Sequence, residues 1–326
     1  MGYFSLVMAV YTELNHTDVA ALLNHYDVGQ LQQFSPISAG VENTNYALTT
    51  DSASLVLTIF EHHNAQQVQE FVRLARYLTE QQIAVPAPLL DCRGEWLHSH
   101  QDKPLILCQR FSGHHVRDLT AAHCEAIGRA LAQLHHASQS LQPRTVNPRG
   151  YRWWCDAAKH VTEHALLNPA QQTVLQETLH DVARHQPTWT SLPHGWIHAD
   201  LFHDNVLFCD DDPTQISAIL DLYNACEDAW LYDLAIVAND WCCSVEGHWL
   251  PGLCEALFAG YQRERRLTDA EQHAWPDMLC AAALRFWLSR LLSADQHSEL
   301  AQQKDPEEYY RKLVLRRQEA GNTGRI

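Results

Sequence analysis

The spacing of hydrophobic positions changes character along this chain, and the change falls near residue 110. In "QQVQEFVRLARYLTEQQ" the apolar residues Val68, Phe71, Val72, Ala75 and Leu78 recur at intervals of three and four, which predicts a helix with one buried face. A shorter helix is predicted over residues 17–26, "TDVAALLNHY", with Thr17 as cap and apolar spacing at Val19, Leu22 and Leu23. Between the two lie "QFSPISAGVENTNYALTT" and "SLVLTIFE", β-rich runs separated by polar turn residues, the pattern of a small antiparallel sheet. Two further strands are predicted around Leu89 to Leu97 and across "PLILCQRF", followed by a turn at "SGHHV". From Thr120 onward the period is helical. Cys124, Ile127, Leu131 and Leu134 line one face of "TAAHCEAIGRALAQLHHA", and segments starting near 170, 228, 252, 270 and 306 read alike. The segment 139–150, "QSLQPRTVNPRG", is the one long surface loop expected. The expectation is an α+β chain: a β-rich unit over residues 8–110 and a larger, mainly helical unit over 111–326, a layout suited to holding a nucleotide between them.

Composition narrows the possible partners. A chain of 326 residues, 46% hydrophobic and 19% charged, has ample material for a large core and more than one lobe. A formal net charge of −16 with only four lysines argues against nucleic acid or an anionic membrane, since either needs a basic face. The longest apolar run, "MLCAAALRFWLSRLLSA", is interrupted by Arg285 and Arg290 and is shorter than the roughly 20 residues of a membrane helix, so no span is expected. The first residues lack a basic start and a small-residue cleavage site, so the cytoplasm is the expected location and Met8 the expected start. Ten cysteines occur without any C-x-x-C, so reduced, mostly buried thiols are expected.

The chemistry concentrates in "HADLFHDN". His198, Asp200 and Asn205 have the H-x-D-x-x-x-x-N spacing of a kinase catalytic loop, in which the Asp accepts a hydroxyl proton and the Asn holds Mg²⁺. The following "VLFCDDDPTQISAILDLYNA" reads as a hairpin whose return strand ends at Asp221, beside Asn205, giving Mg²⁺ two oxygen ligands. A competing transition-metal site of His198, Asp200 and His203 lacks a clear fourth ligand.

The segments "HADLFHDNVLF", "ILDLYNAC" and "YDLAI" resemble the aminoglycoside and choline kinase superfamily, and more closely the bacterial homoserine kinases of the protein-kinase-like type. The likeness extends to "MAVYTEL", "GVENTNYALTT", "LVLTIFE", "ALRFWLSRL" and "KDPEEYYRKL", nearly the whole chain from Met8. One departure is His203, where proline is expected in such loops. The resemblance implies a protein-kinase-like fold with a small antiparallel β lobe and a larger α lobe, ATP and Mg²⁺ as cofactors, and L-homoserine as acceptor, giving O-phospho-L-homoserine for threonine synthesis. It further implies Asp200 as base, His198 as the residue that orients the loop, and Asn205 and Asp221 as Mg²⁺ ligands. Another small alcohol as acceptor (choline, ethanolamine, methylthioribose, an aminoglycoside), or a nucleotide-binding module without catalysis, are the alternatives.

Two parts of the expected machinery have several candidates. Kinases commonly place a lysine on the third strand to hold phosphates, yet no lysine precedes Lys103, and Thr58 stands near that position. Gly40, Asn43 and Asn45 of the turn "SAGVENTN", with Arg73 or Arg76, are the candidates for nucleotide binding. Arg285 and Arg290 are candidates for an acceptor carboxylate, with an internal pair to Asp233 or Asp240 as the competing use. The resemblance also implies Asp233 as a brace for the catalytic loop, with a helix cap as the equal alternative. Trp241, Phe286 and Trp287 fit either a pocket wall or core.

Overall fold

The computed structural model describes residues 11–37, 42–212, 214–296 and 304–322. Gly40 lies outside them. The chain divides into two compact units, one running up to Gly113 together with Ser217–Tyr223, the other comprising His114–Ile216 and the chain from Asn224.

The first unit contains α1 (His16–Leu23), β1 (Leu31–Ile37), β2 (Thr44–Thr50), β3 (Ser54–Ile59), α2 (Ala65–Glu80), β4 (His98–His100) and β5 (Lys103–Gln109). The strands form one antiparallel sheet in the order β1-β2-β3-β5-β4. Successive strand residues point to opposite faces, and both faces here are apolar. Leu105 and Leu107 of β5 join Leu55, Leu57 and Leu48 against Val19 and Leu23 of α1. Ile106 and Cys108, one step out of phase, join Phe60 against Val68, Phe71 and Val72 of α2. The five apolar residues that predict α2 are all buried, and Asn64 and Gln67 close its N-terminus as a capping box.

Two sequence expectations need correction here. Asn15, not Thr17, caps α1, because its side chain accepts the Asp18 N–H while the Asp18 carboxylate accepts the Asn15 N–H. Residues 89–97 form no strand: Asp91 Oδ1 accepts the N–H groups of Arg93 and Glu95, both at 2.8 Å, and Gly94 adopts φ +82°, so the segment is a side-chain-closed turn. Only the short β4 follows it.

The second unit contains α3 (Ala121–Ala137), α4 (Tyr151–Glu163), α5 (Pro169–Trp189), β6 (His194–Ile197), β7 (Val206–Phe208), the start of β8 (Ile216–Ile219), β9 (Cys226–Ala229), α6 (Trp230–Trp241), α7 (Leu253–Glu264), α8 (Asp269–Gln296) and α9 (Pro306–Asn322). β6 pairs antiparallel with β9. α6 is buried along almost its whole length and the stretch 281–284 of α8 is wholly buried, so these helices form the centre of the unit. α3 and α7 cross at touching backbones: a Cβ on Gly128 would stand 2.1 Å from Leu257 O, and one on Gly260 would stand 2.0 Å from Glu125 O. That close crossing brings His135 of α3 to Tyr261 of α7. No helix of the described residues is long and apolar enough to cross a membrane.

Candidate active site

β6 delivers the chain into the 198–205 loop, where Ala199 takes φ +64°. A non-glycine residue in the left-handed region is costly unless its surroundings hold it there. Asp233, in the first turn of α6, does so: its Oδ2 accepts the His198 N–H at 2.8 Å and its Oδ1 accepts the Ala199 N–H at 2.9 Å. The helix cap reading of Asp233 falls, since Ala229 occupies the N-cap position and no side chain caps it. Asp233 braces the loop.

Asp233 is itself held by a buried imidazole. His135 Nε2 lies 3.1 Å from its Oδ2, and His135 Nδ1 lies 2.9 Å from the Tyr261 hydroxyl. Burial alone would raise the Asp233 carboxyl, but the bond from His135 and the neighbouring loop amide outweigh it and leave the group below its usual range. Burial lowers His135 in spite of Asp233. Both directions agree on one state: an anionic Asp233 accepting from a neutral His135 that carries its proton on Nε2 and accepts the Tyr261 hydroxyl at Nδ1.

A second carboxylate of α6 holds the other end of the loop. Asp240 stands seven residues after Asp233, two helical turns on and on the same face. Its Oδ2 accepts both the backbone N–H and Nδ1–H of His203, each at 2.8 Å. The bond to Asp240 raises His203 against the opposing effect of burial. Asp240 is lowered, because contact with His203 outweighs the burial that would raise it. Trp241 completes the attachment, donating Nε1–H to Leu201 O at 3.0 Å. Thus the histidine that replaces the expected proline fixes the loop to α6. With its Nδ1 committed to Asp240, it makes a poor metal ligand, and no group of three metal-ligating side chains occurs among the described residues.

Within the loop, the Asp200 N–H donates to His198 Nδ1 at 3.3 Å, the Phe202 N–H to Asp200 O at 2.8 Å, and Asn205 Nδ2 to Asp200 O at 2.8 Å. The Asn205 amide nitrogen is therefore spent inside the loop, and its Oδ1 is the atom left to accept a ligand. The Asp200 carboxylate is 19% exposed and lies 3.8 Å from the guanidinium of Arg285, which is 4% exposed on α8. Arg290, one helical turn and more beyond, belongs to a different network: it donates to Glu308 at 2.6 Å and to Asp305 O at 2.9 Å and lies over the Tyr309 ring, tying α8 to α9. Neither arginine pairs with Asp233 or Asp240, which are engaged by His135 and His203. Trp241, Phe286 and Trp287 are buried, with Phe286 against Phe202 at 4.5 Å between ring centres.

The remaining candidates lie in the first unit. Asp221 takes φ +58° just after β8, in a segment anchored by the Ile219 N–H to Ala84 O bond and by Tyr223 edge-on to Phe60. Asn45 Oδ1 accepts the Thr58 hydroxyl at 2.7 Å across the β2–β3 pair, and Asn43 is buried beside it in sequence. Arg73 donates through both Nε and a terminal nitrogen to Glu70 on its own helix, and Arg76 stacks 4.7 Å over Trp96. Lys103 binds Glu61 and the Thr12 hydroxyl, with Glu61 also accepting the Thr12 and Thr44 hydroxyls. His135, Tyr261 and Asp240 are side chains supporting the loop that motif spacing did not identify as site residues. Of these, Asp240 carried a signal only as a competing partner for Arg285 or Arg290.

Residues 33–267 match the phosphotransferase enzyme family, and the chain belongs to it. Within that class its similarity is to homoserine kinases: that of Methylobacillus flagellatus is 37% identical over 315 residues, covering 94% of each chain. The homoserine kinase of Pseudomonas aeruginosa strain LESB58 is 35% identical over 310 residues, covering 95% of this chain and 96% of the relative. That of Caulobacter sp. strain K31 is 36% identical over 315 residues, with 95% and 97% covered. Among solved structures, a microcompartment-associated aminopropanol kinase superposes with a TM-score of 0.73 at 20% identity, covering 96% of this chain and 99% of that one. The amicoumacin kinase hAmiN gives 0.68 at 18% identity, covering 90% and 93%. At these identities the two structures establish the fold.

Proposed function

We infer that the chain transfers the γ-phosphoryl group of ATP to the side-chain hydroxyl of L-homoserine, giving O-phospho-L-homoserine, a step that serves threonine synthesis. The observation that carries this reading is the braced 198–205 loop, intact in its three functional positions, in a chain more than a third identical to a homoserine kinase along 94% of its length. Asp200 accepts the hydroxyl proton as that oxygen attacks the γ-phosphorus and the bond to the ADP oxygen breaks. His198 holds the Asp200 amide and so sets the direction of the loop. Asn205 Oδ1 and the Asp221 carboxylate are the oxygens assigned to the metal, and hard oxygen donors of this kind suit Mg²⁺ better than any softer ion. When bound, Mg²⁺ neutralises charge on the phosphate oxygens. Asn43, Asn45 and the 38–45 turn with Gly40 are assigned to the phosphates, with Arg73 as the added charge. Of the two arginines assigned to the acceptor, Arg285 borders the base, whereas Arg290 is engaged by α9.

Purified protein with Mg-ATP, offered homoserine, choline, methylthioribose and kanamycin in parallel with ADP release as readout, tests this directly. Homoserine is the expected substrate. Turnover of another alcohol in its place would overturn the acceptor, and turnover of none would overturn the enzyme assignment.

A further inference from the structure

Beside Ala199 a narrow pocket is bounded by Asn147, Arg149, Asn224, Tyr232 and Arg285, and its polar lining is rich in donors. The 147–149 turn is pinned to β9: the Asn147 N–H donates to Glu227 O at 3.2 Å, its Nδ2 to Asp228 Oδ2 at 2.7 Å, and its Oδ1 accepts the Arg149 N–H at 2.8 Å. Arg149 in turn donates to Asn224 Oδ1 at 3.0 Å. That bond fixes the Asn224 amide, and its Nδ2 is buried with no partner among the described residues. The Tyr232 hydroxyl, on a side chain 3% exposed, is likewise buried with no such partner. A buried donor left unmade costs about 1–3 kcal/mol, so two at one pocket call for an acceptor that arrives from outside.

The acids nearby do not supply it. Both Asp228 oxygens are taken, by Asn147 Nδ2 and the Ala229 N–H, and burial raises that carboxyl above its usual range. Asp200 stands 3.8 Å from Arg285. Two guanidiniums, an amide N–H and a phenol O–H suit a planar anion with two oxygens.

We propose that Arg149, Arg285, Asn224 and Tyr232 form the subsite that binds the carboxylate of the acceptor, with Arg285 shared between that carboxylate and Asp200. The proposal rests on the homoserine reading and adds to it the residues that select an amino acid over an amino alcohol. Homoserine separates its carboxylate from its hydroxyl by a short aliphatic stem, so a carboxylate held at Ala199 and Arg285 leaves the hydroxyl close to the base that follows Ala199 in the chain. Burial keeps the Tyr232 phenol protonated, as a donor to such an anion must be.

The test is a titration of wild type, Tyr232→Phe and Arg149→Met with L-homoserine and with 3-aminopropan-1-ol, which lacks only the carboxylate, in the presence of a non-hydrolysable ATP analogue. Tyr232→Phe removes a hydroxyl that has no hydrogen-bond partner among the described residues, so its thermal unfolding should match wild type. Its Kd for homoserine should rise roughly 10- to 100-fold, the loss of one hydrogen bond to a charged group. Arg149→Met should shift it at least as far, with the Kd for 3-aminopropan-1-ol the same in all three proteins. A homoserine Kd within twofold of wild type in Tyr232→Phe would overturn the subsite, as would wild-type protein binding both compounds equally. Turnover is a separate readout: wild type that shows this binding pattern yet phosphorylates no homoserine would overturn the proposed function and leave the carboxylate subsite standing.

Discussion

The 198–205 loop and the Asn43, Asn45, Thr58 cluster are proposed to serve one reaction, yet they are built differently. The loop is fastened to α6 at three points through Asp233, Asp240 and Trp241, with two of the contacts made by carboxylates held below their usual range. The cluster is made of neutral side chains, with the Thr58 hydroxyl donating to Asn45, and the arginines of α2 are paired with that helix or with Trp96. The difference follows from what each has to do. A base must meet one proton along one line, so its backbone is fixed by buried charge at the expense of a left-handed alanine. A phosphate chain carries many equivalent oxygens and can be held by backbone N–H groups and small polar side chains.

The widest gap between the two regions should appear in stability. Asp233→Asn removes half of a carboxylate that accepts from His135, His198 and Ala199, and should cost about 3–5 kcal/mol in chemical denaturation, whereas Arg73→Ala should stay within about 0.5 kcal/mol of wild type. Similar losses for both would erase the distinction. Asp240→Asn should fall between them, at about 1–3 kcal/mol, because one face of its contact with His203 is open to solvent.

The two histidine–aspartate pairs should then part company with pH. His135 is lowered, so the unfolded chain takes up its proton first and stability should decline as pH falls below about 6.5. His203 is raised, so its contribution is complete below about 6.5 and is lost as pH climbs through its folded value. Asp233 and Asp240, both lowered, contribute above about 3.9 and lose that contribution only as pH falls through their folded values. The stability difference between wild type and His203→Gln should therefore shrink between pH 6 and pH 8 in thermal melts, while acid loss persists in both. A difference that grows over that interval would contradict the charge assigned to His203.

The smallest effects are expected in the first unit. Thr58→Ala should alter ATP kinetics little, and Arg73→Ala or Arg76→Ala should raise the KM for ATP several-fold if the guanidinium reaches the phosphates. Unchanged KM in both arginine variants would assign the phosphates to the 38–45 turn, with Asn45→Ala the next variant to measure.

The same contrast explains what the sequence disclosed. Periodicity exposed α2 and the sheet because both faces of the sheet are apolar and every face-defining residue of α2 is buried. It misread residues 89–97, where a single aspartate closing a turn outweighs several apolar neighbours. The H-x-D-x-x-x-x-N pattern was legible because its members fall within eight residues of one another, inside one loop. Its supports were not, because His203 and Asp240 are 37 positions apart and His135 and Asp233 are 98 apart, so no local spacing links them. Arginines stood out on apolar α8 by contrast with their neighbours, which drew Arg285 and Arg290 equally, although only the first borders Asp200. Arg149 sits in a polar loop where a charge attracts no notice. The pocket it shares with Asn224 and Tyr232 also takes in Ala199 and Arg285, residues far apart in sequence.

Asp200 is proposed as the base that this bracing serves. Asp200→Asn keeps the shape of the side chain and removes its capacity to take a proton, so with saturating homoserine and Mg-ATP its kcat should fall by on the order of 10² or more, with the Kd for ATP changed little. Turnover near the wild-type rate, or a loss confined to nucleotide affinity, would contradict it.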